Sequence, residues 1–313
     1  MASATSTLLR LGARGSPLSR AQSDGVRQNL AKAMGVSADR IAFVPIVTSG
    51  DRNQDPSFAA GGKGIFTKEL DDALLDKRID VAVHSMKDLP AELADGVAIA
   101  AVPTREDPRD AFISGKAGTL RELPDESVVG TSSVRRRAWV LFRGHGHIQV
   151  APLRGNVETR LKKVADGVVD ATILALAGLK RLGLESHVAS LLDPLDFLPA
   201  PCQGALALTA RAEDVERFAV IDDFDARVAT TAERAYLAAF GGSCLTPVGA
   251  WCRREGDVFL FNGGLLHPEG RESFKDNDII PLHGDAFGNA ARIAAKRGAE
   301  MREIAIEQGI LPS

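Results

Sequence analysis

The sequence predicts an α/β protein with two lobes facing a cleft, followed by a smaller α+β domain. Three observations carry this reading. Short runs rich in β-branched residues alternate with amphipathic helical segments, proline-marked stretches break the alternation twice, and the pattern changes character beyond about Ala226. At 313 residues the chain exceeds the roughly 100–200 residues usual for one domain, so two or three cores are expected.

The elements follow in order. Near the N-terminus, GARGSPLSRAQ presents Arg14, Ser16 and Gln22 around a proline-marked helix start. Ile41 to Val47 and Ile79 to Ser85 read as buried strands. Between them Phe66, Leu70, Ala73 and Leu74 fall on one helix face. VAIAAV is a third strand before Pro103, and the alternation calls for a mostly parallel sheet. After TREDPRD the pattern restarts. SVVGTS and HIQVAP read as strands, each followed by a helix (Val134, Ala138, Leu141, Phe142; then Val157, Leu161, Val164), and VVDATILALAG is a further strand. DPLDFLPAP, with Pro194, Pro199 and Pro201, interrupts again. A helix carrying Val228, Ala232, Tyr236 and Phe240, strand-like WCRREGDVFLFNGGLL and a last helix near Gly288 to Glu307 complete the third domain.

Composition excludes several classes. A net charge of −3 gives no bulk positive field to recruit nucleic acid, and 5% aromatics argue against a base-stacking surface. No stretch approaches the ~20 apolar residues of a membrane span, and MASATSTLLR has no apolar core of an export signal. Cys202, Cys244 and Cys252 form no CxxC or zinc spacing, which fits free thiols in a cytoplasmic protein and predicts no metal.

Candidate chemistry collects where strands end, since ligands of open α/β sheets bind outside the carboxyl ends of strands. HSMKDLP puts His84, Ser85, Lys87 and Asp88 there. Lys87–Asp88 reads either as a surface ion pair worth ~0–1 kcal/mol or as a functional pair. His84 reads as a strand-end residue satisfying local hydrogen bonds. In GTSSVRRR, Thr131, Ser132 and Ser133 can cap a helix whose first turn carries Arg135 and Arg136. Arginine there opposes the helix dipole, which favours an anionic ligand over a purely structural role. Arg154 and Arg160, Lys180 and Arg181, and Lys63 in GGKG repeat the theme. So many cations at strand ends imply a ligand with several carboxylates or phosphates. No P-loop or GxGxxG is present. Cys244 sits in GGSCLTP, a glycine-rich loop after a helix, with no local base to activate it.

Together GGKGIFTKEL, DVAVHSMKDLP, REDPRDAF, VGTSSVRRR, LRGNVETR, ILALAGLKRLGL, LPAPCQGAL, TAERA and GGSCLTPVG resemble, in order and over nearly the whole chain, the porphobilinogen deaminase (hydroxymethylbilane synthase) family. The resemblance implies two lobes like those of periplasmic binding proteins plus a small α+β domain. Residues 1–103 with 200–224 would form lobe one, 104–199 lobe two and 225–313 the third domain. It implies a transferase that joins four porphobilinogen molecules head to tail into hydroxymethylbilane with release of ammonia. A dipyrromethane cofactor would be held by a thioether to Cys244, with Cys202 and Cys252 non-functional. By the same resemblance Asp88 is catalytic. Ser85, Lys87, Asp88, Thr131, Ser132, Ser133, Arg135 and Arg136 hold the cofactor, and Arg14, Ser16, Gln22, Lys63, Arg154, Arg160, Arg181 and Gln203 hold substrate and the growing chain. The implied state is a cytoplasmic monomer with no nucleic-acid or membrane partner. Two departures stand out: Ala59 where some relatives have lysine, and CLTP after the loop glycines. The rival readings are a periplasmic-type binding protein, a Schiff-base enzyme using Lys87 and a basic nucleic-acid module. The first lacks an export signal, the second has Asp88 opposing the required loss of charge, and the third lacks the charge.

Overall fold

The structure, a computed structural model, describes residues 7–52, 67–144, 146–241 and 246–311. Ala59, Lys63 and Cys244 lie outside these residues. The chain divides into two compact units, residues 1–105 with 205–227 and residues 106–204 with 228–313.

The first unit is built on a five-stranded sheet: β1 (Leu9–Arg14), β2 (Ile41–Ile46), β3 (Val81–Ser85), β4 (Val97–Ala101) and β10 (Leu206–Arg211), in the order β2-β1-β3-β10-β4. β1 pairs in parallel with β2 and β3, while β10 runs antiparallel to both its neighbours. In β1 the side chains alternate, with Leu9, Leu11 and Ala13 fully buried between partly exposed arginines. That strand escaped the sequence reading because Arg10 and Gly12 break its apolar run. Helix α1 (Pro17–Ala33) starts with proline at its first turn and Ser16 as cap, the Ser16 Oγ accepting from the Ser19 N–H at 3.3 Å. After the short α2 (Ser49–Arg52), α3 (Lys68–Leu75) packs Leu70, Ala73 and Leu74 against Ile79 and Ala82. The expected helix is thus present from Lys68.

The second unit repeats this plan. Its sheet holds β5 (Asp110–Ser114), β6 (Val128–Gly130), β7 (Gln149–Ala151), β8 (Ala171–Ala175) and β9 (Ser190–Leu191), ordered β7-β6-β8-β5-β9. Again β6 pairs in parallel with two neighbours and one strand, β5, opposes the rest. In each sheet the opposing strand is the one that follows a proline-marked break. Helices α4 (Val134–Arg143), α5 (Val157–Ala165) and α6 (Leu176–Leu182) follow β6, β7 and β8. The expected strand over VVDATILALAG therefore ends at Ala175: Leu176 and Leu179, three apart, bury one face of a helix instead. Trp139 of α4 is fully buried and stacks on Phe197 at 5.5 Å.

The same unit contains an antiparallel three-stranded sheet, β11 (Val248–Glu255), β12 (Val258–Leu266) and β13 (Ser273–Pro281). Its core joins Tyr236 and Phe240, near the end of α7 (Phe224–Ala239), to Phe259, Phe261 and Leu265, and to Ala290, Ala294 and Met301 of α8 (Ala286–Glu307). Gly263 has to be glycine here, since a Cβ would sit 2.6 Å from the Tyr236 ring. No helix among the described residues is long and apolar enough to cross a membrane.

Candidate functional site

In the first unit β1 and β3 are parallel neighbours, so their carboxyl ends lie side by side. β1 ends in Arg14 and leads into the Ser16-capped helix; β3 ends in Ser85 and leads into a single 3₁₀ turn, Met86–Asp88. Arg14, Ser16, Gln22, Ser85 and Asp88 accordingly share one cavity of about 70 Å³. The Gln22 side-chain amide donates to Ser85 Oγ at 2.9 Å. Asp88 is exposed, and among the described residues its carboxylate has no hydrogen bond or ion pair. Lys87 beside it is exposed and engaged elsewhere. The first turn of α1 holds no acidic residue, so its N–H groups and dipole favour an anion in this cavity.

Two further side chains shape this unit: Asp51, which the sequence reading missed, and His84, which it read as a strand-end residue satisfying hydrogen bonds. Asp51 takes Arg14: Nε donates at 3.1 Å and Nη2 at 2.5 Å, while Thr48 Oγ1 donates to the same carboxylate at 2.8 Å. Burial alone would raise the Asp51 carboxyl, but these donors hold it below the ordinary value. His84 is buried in the wall of the cavity with Nε2 3.0 Å from Thr209 Oγ1. Burial pushes its pKa down to about 4, so it is neutral at physiological pH.

In the second unit the loop after β6 reaches α4 through Ser133, whose Oγ accepts from the Arg136 N–H at 3.4 Å. Thr131 Oγ1 accepts from the Ser133 N–H, and Ser132 Oγ donates to the Leu153 carbonyl. Arg135 and Arg136 are not splayed into solvent. Both are buried, and both guanidiniums clasp Asp110: Arg135 Nη2 donates to Oδ2 at 2.7 Å, Arg136 Nη2 and Nε to Oδ1 at 2.7 and 3.2 Å. Gln203 Nε2 donates to the same Oδ1 at 2.9 Å and to the Pro108 carbonyl at 2.8 Å. Burial would raise the Asp110 carboxyl, yet the two guanidiniums hold it far below the usual carboxylate range.

Arg154 is exposed after the strand, and Arg160 on α5 donates Nε to the Gly155 carbonyl at 2.9 Å. Burial, then repulsion from Arg136 and Arg154, lowers the Arg160 pKa. The three guanidiniums therefore form a like-charge cluster that an anion would relieve. Arg181 donates to the Gly204 carbonyl at 2.8 Å, and Lys180 pairs with Glu106 at 2.7 Å. Gly204 has φ +88° and lies so close to Glu106 that a Cβ would meet its carbonyl oxygen at 2.2 Å. Cys202 and Cys252 are buried, their N–H groups both donating to the buried Glu233 carboxylate at 2.5 and 2.7 Å. Asp110 was visible in the sequence only as part of REDPRDAF; a single acid opening a strand right after a proline break was the available signal.

Each unit by itself offers partners for an anionic ligand. In the second unit Arg136 leaves Nη1 without a partner among the described residues, and Arg154 and Arg160 have no carboxylate partner among them. The first unit lines its own cavity with Arg14, Ser16, Ser19, Ser85 and a helix start, and Asp88 adds a bare carboxylate for N–H groups or transient positive charge. Among the described residues no group of three or more His, Cys, Asp or Glu could hold a metal ion.

Residues 9–218 match the family model described as porphobilinogen deaminase, dipyromethane cofactor binding domain. The porphobilinogen deaminase of Nitrobacter hamburgensis is 46% identical over 308 residues, covering 97% of this chain and 96% of the relative. That of Phenylobacterium zucineum is 47% identical over 311 residues, covering 96% and 97%. Among solved structures, a periplasmic substrate-binding protein of an ABC transporter from Coxiella burnetii aligns with 67% of this chain and 88% of its own at 12% identity and a TM-score of 0.43. The methionine-binding protein MetQ aligns with 74% and 94% at 14% identity and a TM-score of 0.41. With two thirds of its length matched by that model and nearly all of it by such relatives, the chain belongs to the porphobilinogen deaminase family.

Proposed function

We propose that this chain condenses four porphobilinogen molecules head to tail into hydroxymethylbilane with release of ammonia, as a cytoplasmic monomer. In this reading residues 1–103 with 200–224, 104–199 and 225–313 are its three domains. The observation that carries the reading is the bare, exposed Asp88 carboxylate sharing one cavity with Arg14, Ser16, Gln22 and Ser85. A pyrrole ring with two acidic side chains needs those two opposite kinds of partner at once.

The residues fit a dipyrromethane group bound by thioether to Cys244. Ser85, Lys87 and Asp88, with Thr131, Ser132, Ser133, Arg135 and Arg136, would hold it. When bound, this group supplies the nucleophilic ring end to which substrate units are added. Arg14, Ser16, Gln22, Lys63, Arg154, Arg160, Arg181 and Gln203 bind and orient the carboxylates of the incoming unit and of the growing chain. Guanidinium forks suit this task because they grip a planar carboxylate through two parallel N–H groups. Asp88 acts on charge. Loss of ammonia from substrate leaves a cationic methylene-pyrrole, and a fixed carboxylate stabilises that cation and accepts pyrrole N–H groups. Because the charge exists only transiently, the contact raises rate more than binding.

Intact-mass measurement tests the reading. The purified protein should exceed its chain mass by two porphobilinogen units less two ammonia. Cys244→Ser should lose the excess and the activity, whereas Cys202→Ser and Cys252→Ser keep both. A cofactor-loaded Asp88→Asn enzyme should turn over roughly 10²-fold more slowly, the scale of losing one preorganised electrostatic group. An active protein at bare chain mass, or a loaded Asp88→Asn enzyme at the parental rate, contradicts it.

A further inference from the structure

Two buried guanidiniums facing one buried carboxylate leave a unit of positive charge over. A structural ion pair has no need of the second arginine, because each buried charge costs desolvation that only a good partner offsets. The hydrogen bonds show how the two arginines divide the work. Arg135 spends Nη1 on the Leu198 carbonyl at 2.6 Å and Nη2 on Asp110, lies over the Phe197 ring at 5.8 Å, and keeps its Nε buried without a partner. It has no nitrogen to present. Arg136 spends Nε and Nη2, one whole edge of its fork, on Asp110 Oδ1. Only the opposite corner, Nη1, is left over.

Asp110 is itself held fast. It opens β5, its carbonyl accepts from the Leu192 N–H at 2.9 Å, and its side chain is fully buried under the Gln203 amide. We propose that Asp110 is a positioning residue: it turns the Arg136 fork so that Nη1 alone meets a ligand carboxylate, while Arg135 serves as the counter-charge that fixes Asp110. The inference rests on the reading that Arg136 holds a carboxylate of the cofactor. It departs from that reading in giving Arg135 no ligand contact and in adding a residue that touches no ligand. Asn at 110 would keep the shape but offer one acceptor in place of two, and would set its own N–H groups against a guanidinium.

The test compares the parent with Asp110→Asn and with Asp110→Asn/Arg135→Met, which removes one charge of each sign. Two quantities are read: the fraction of purified protein carrying the cofactor mass, and the melting temperature. Asp110→Asn should lose at least ten-fold in loaded fraction and melt lower. The double variant should recover most of the melting temperature and still load at least ten-fold less than the parent, since nothing aims Arg136. Arg135→Met alone is the control for any ligand contact of Arg135 itself: were the role of Asp110 only structural, the double variant would load as that control does, whereas a positioning role leaves it well below. Loading at the parental level in either variant overturns the proposal, and so does a failure of both chains to fold. A parent protein without the extra mass would instead sink the reading on which the proposal rests.

Discussion

Asp71→Asn should stabilise the protein relative to the parent by an amount that grows as pH rises from about 4 to 7.5. Asp71, on α3, is 7% exposed and its Oδ1 is buried without a hydrogen bond. Burial, and then the neighbouring Asp72, raise its pKa from 3.8 to about 6. The unfolded chain thus releases this proton near pH 4 and the folded chain only near pH 6, so stability declines as pH rises through that window. At ~1.4 kcal/mol per unit the loss is about 2–3 kcal/mol. His84 works in the opposite direction. Its folded pKa of about 4 lies below the ordinary 6.5, so stability declines as pH falls from 6.5 to 4, by about 3 kcal/mol. Over pH 4 to 6.5 these two contributions oppose each other. Substituting Asp71 removes one of them. At roughly 2–4 °C per kcal/mol, the melting difference between variant and parent should grow by about 5–10 °C from pH 4 to pH 7.5. Any constant offset from the new amide drops out of that comparison, as do all other carboxylates. Thermal melts at five or six pH values suffice. A difference that stays flat across the range refutes the reasoning.

Arg135→Met and Arg160→Met should part company although both arginines point to ligand binding in the sequence. The first loses two buried charge-assisted bonds, at 2.7 and 2.6 Å, and should cost about 3 kcal/mol. The second loses one bond to a carbonyl and sheds repulsion, so it should shift stability by less than about 1 kcal/mol while stalling chain extension, seen as a changed distribution of chain-bound pyrrole masses. Equal losses of melting temperature would contradict the assignment. Gly204→Ala should cost about 3 kcal/mol or more, because φ +88° strains alanine and its Cβ must displace the Glu106 carbonyl. A melt within 1–2 °C of the parent, roughly the span of a sub-kcal change, would show that the turn relaxes freely.

How far the sequence is legible follows from range. Period-3.6 and β-branched patterns act over a few residues, so α4, α5, β2, β3 and β4 can be read from them. β5 and β10 cannot be, since DAFIS and LALTAR become strands through neighbours far away in the chain, Thr172 opposite Ile113 and Val83 opposite Leu208. Site residues behave alike. Ser16 as a cap and Ser133 as a cap are local facts and are legible. Asp51 on Arg14 and Asp110 on Arg135 and Arg136 join residues 37, 25 and 26 positions apart, and nothing in the local pattern announces them.

Those hidden carboxylates alter what a count of arginines means. Read from the sequence, Arg14, Arg135, Arg136, Arg154, Arg160 and Arg181 are equal rungs of one ladder. In the fold Arg14 is met by Asp51, Arg135 and Arg136 by Asp110, and Arg181 by a carbonyl. Such pairing withdraws charge from the ligand, yet it also fixes the fork beforehand. A free arginine side chain loses about 0.5–1.5 kcal/mol of freedom when a ligand immobilises it. A pre-paired one has already lost it in folding, and presents its remaining nitrogen in a set direction. Arg160 is likewise tied to the Gly155 carbonyl, whereas Arg154, exposed and without a carboxylate partner among the described residues, can follow a ligand whose length changes. Arg136, aimed by Asp110, suits one that stays in place. Under the proposed function, fixed and adaptable guanidiniums within one unit would match a ligand made of a permanent part and a growing part, a division set by where the chain put its aspartates.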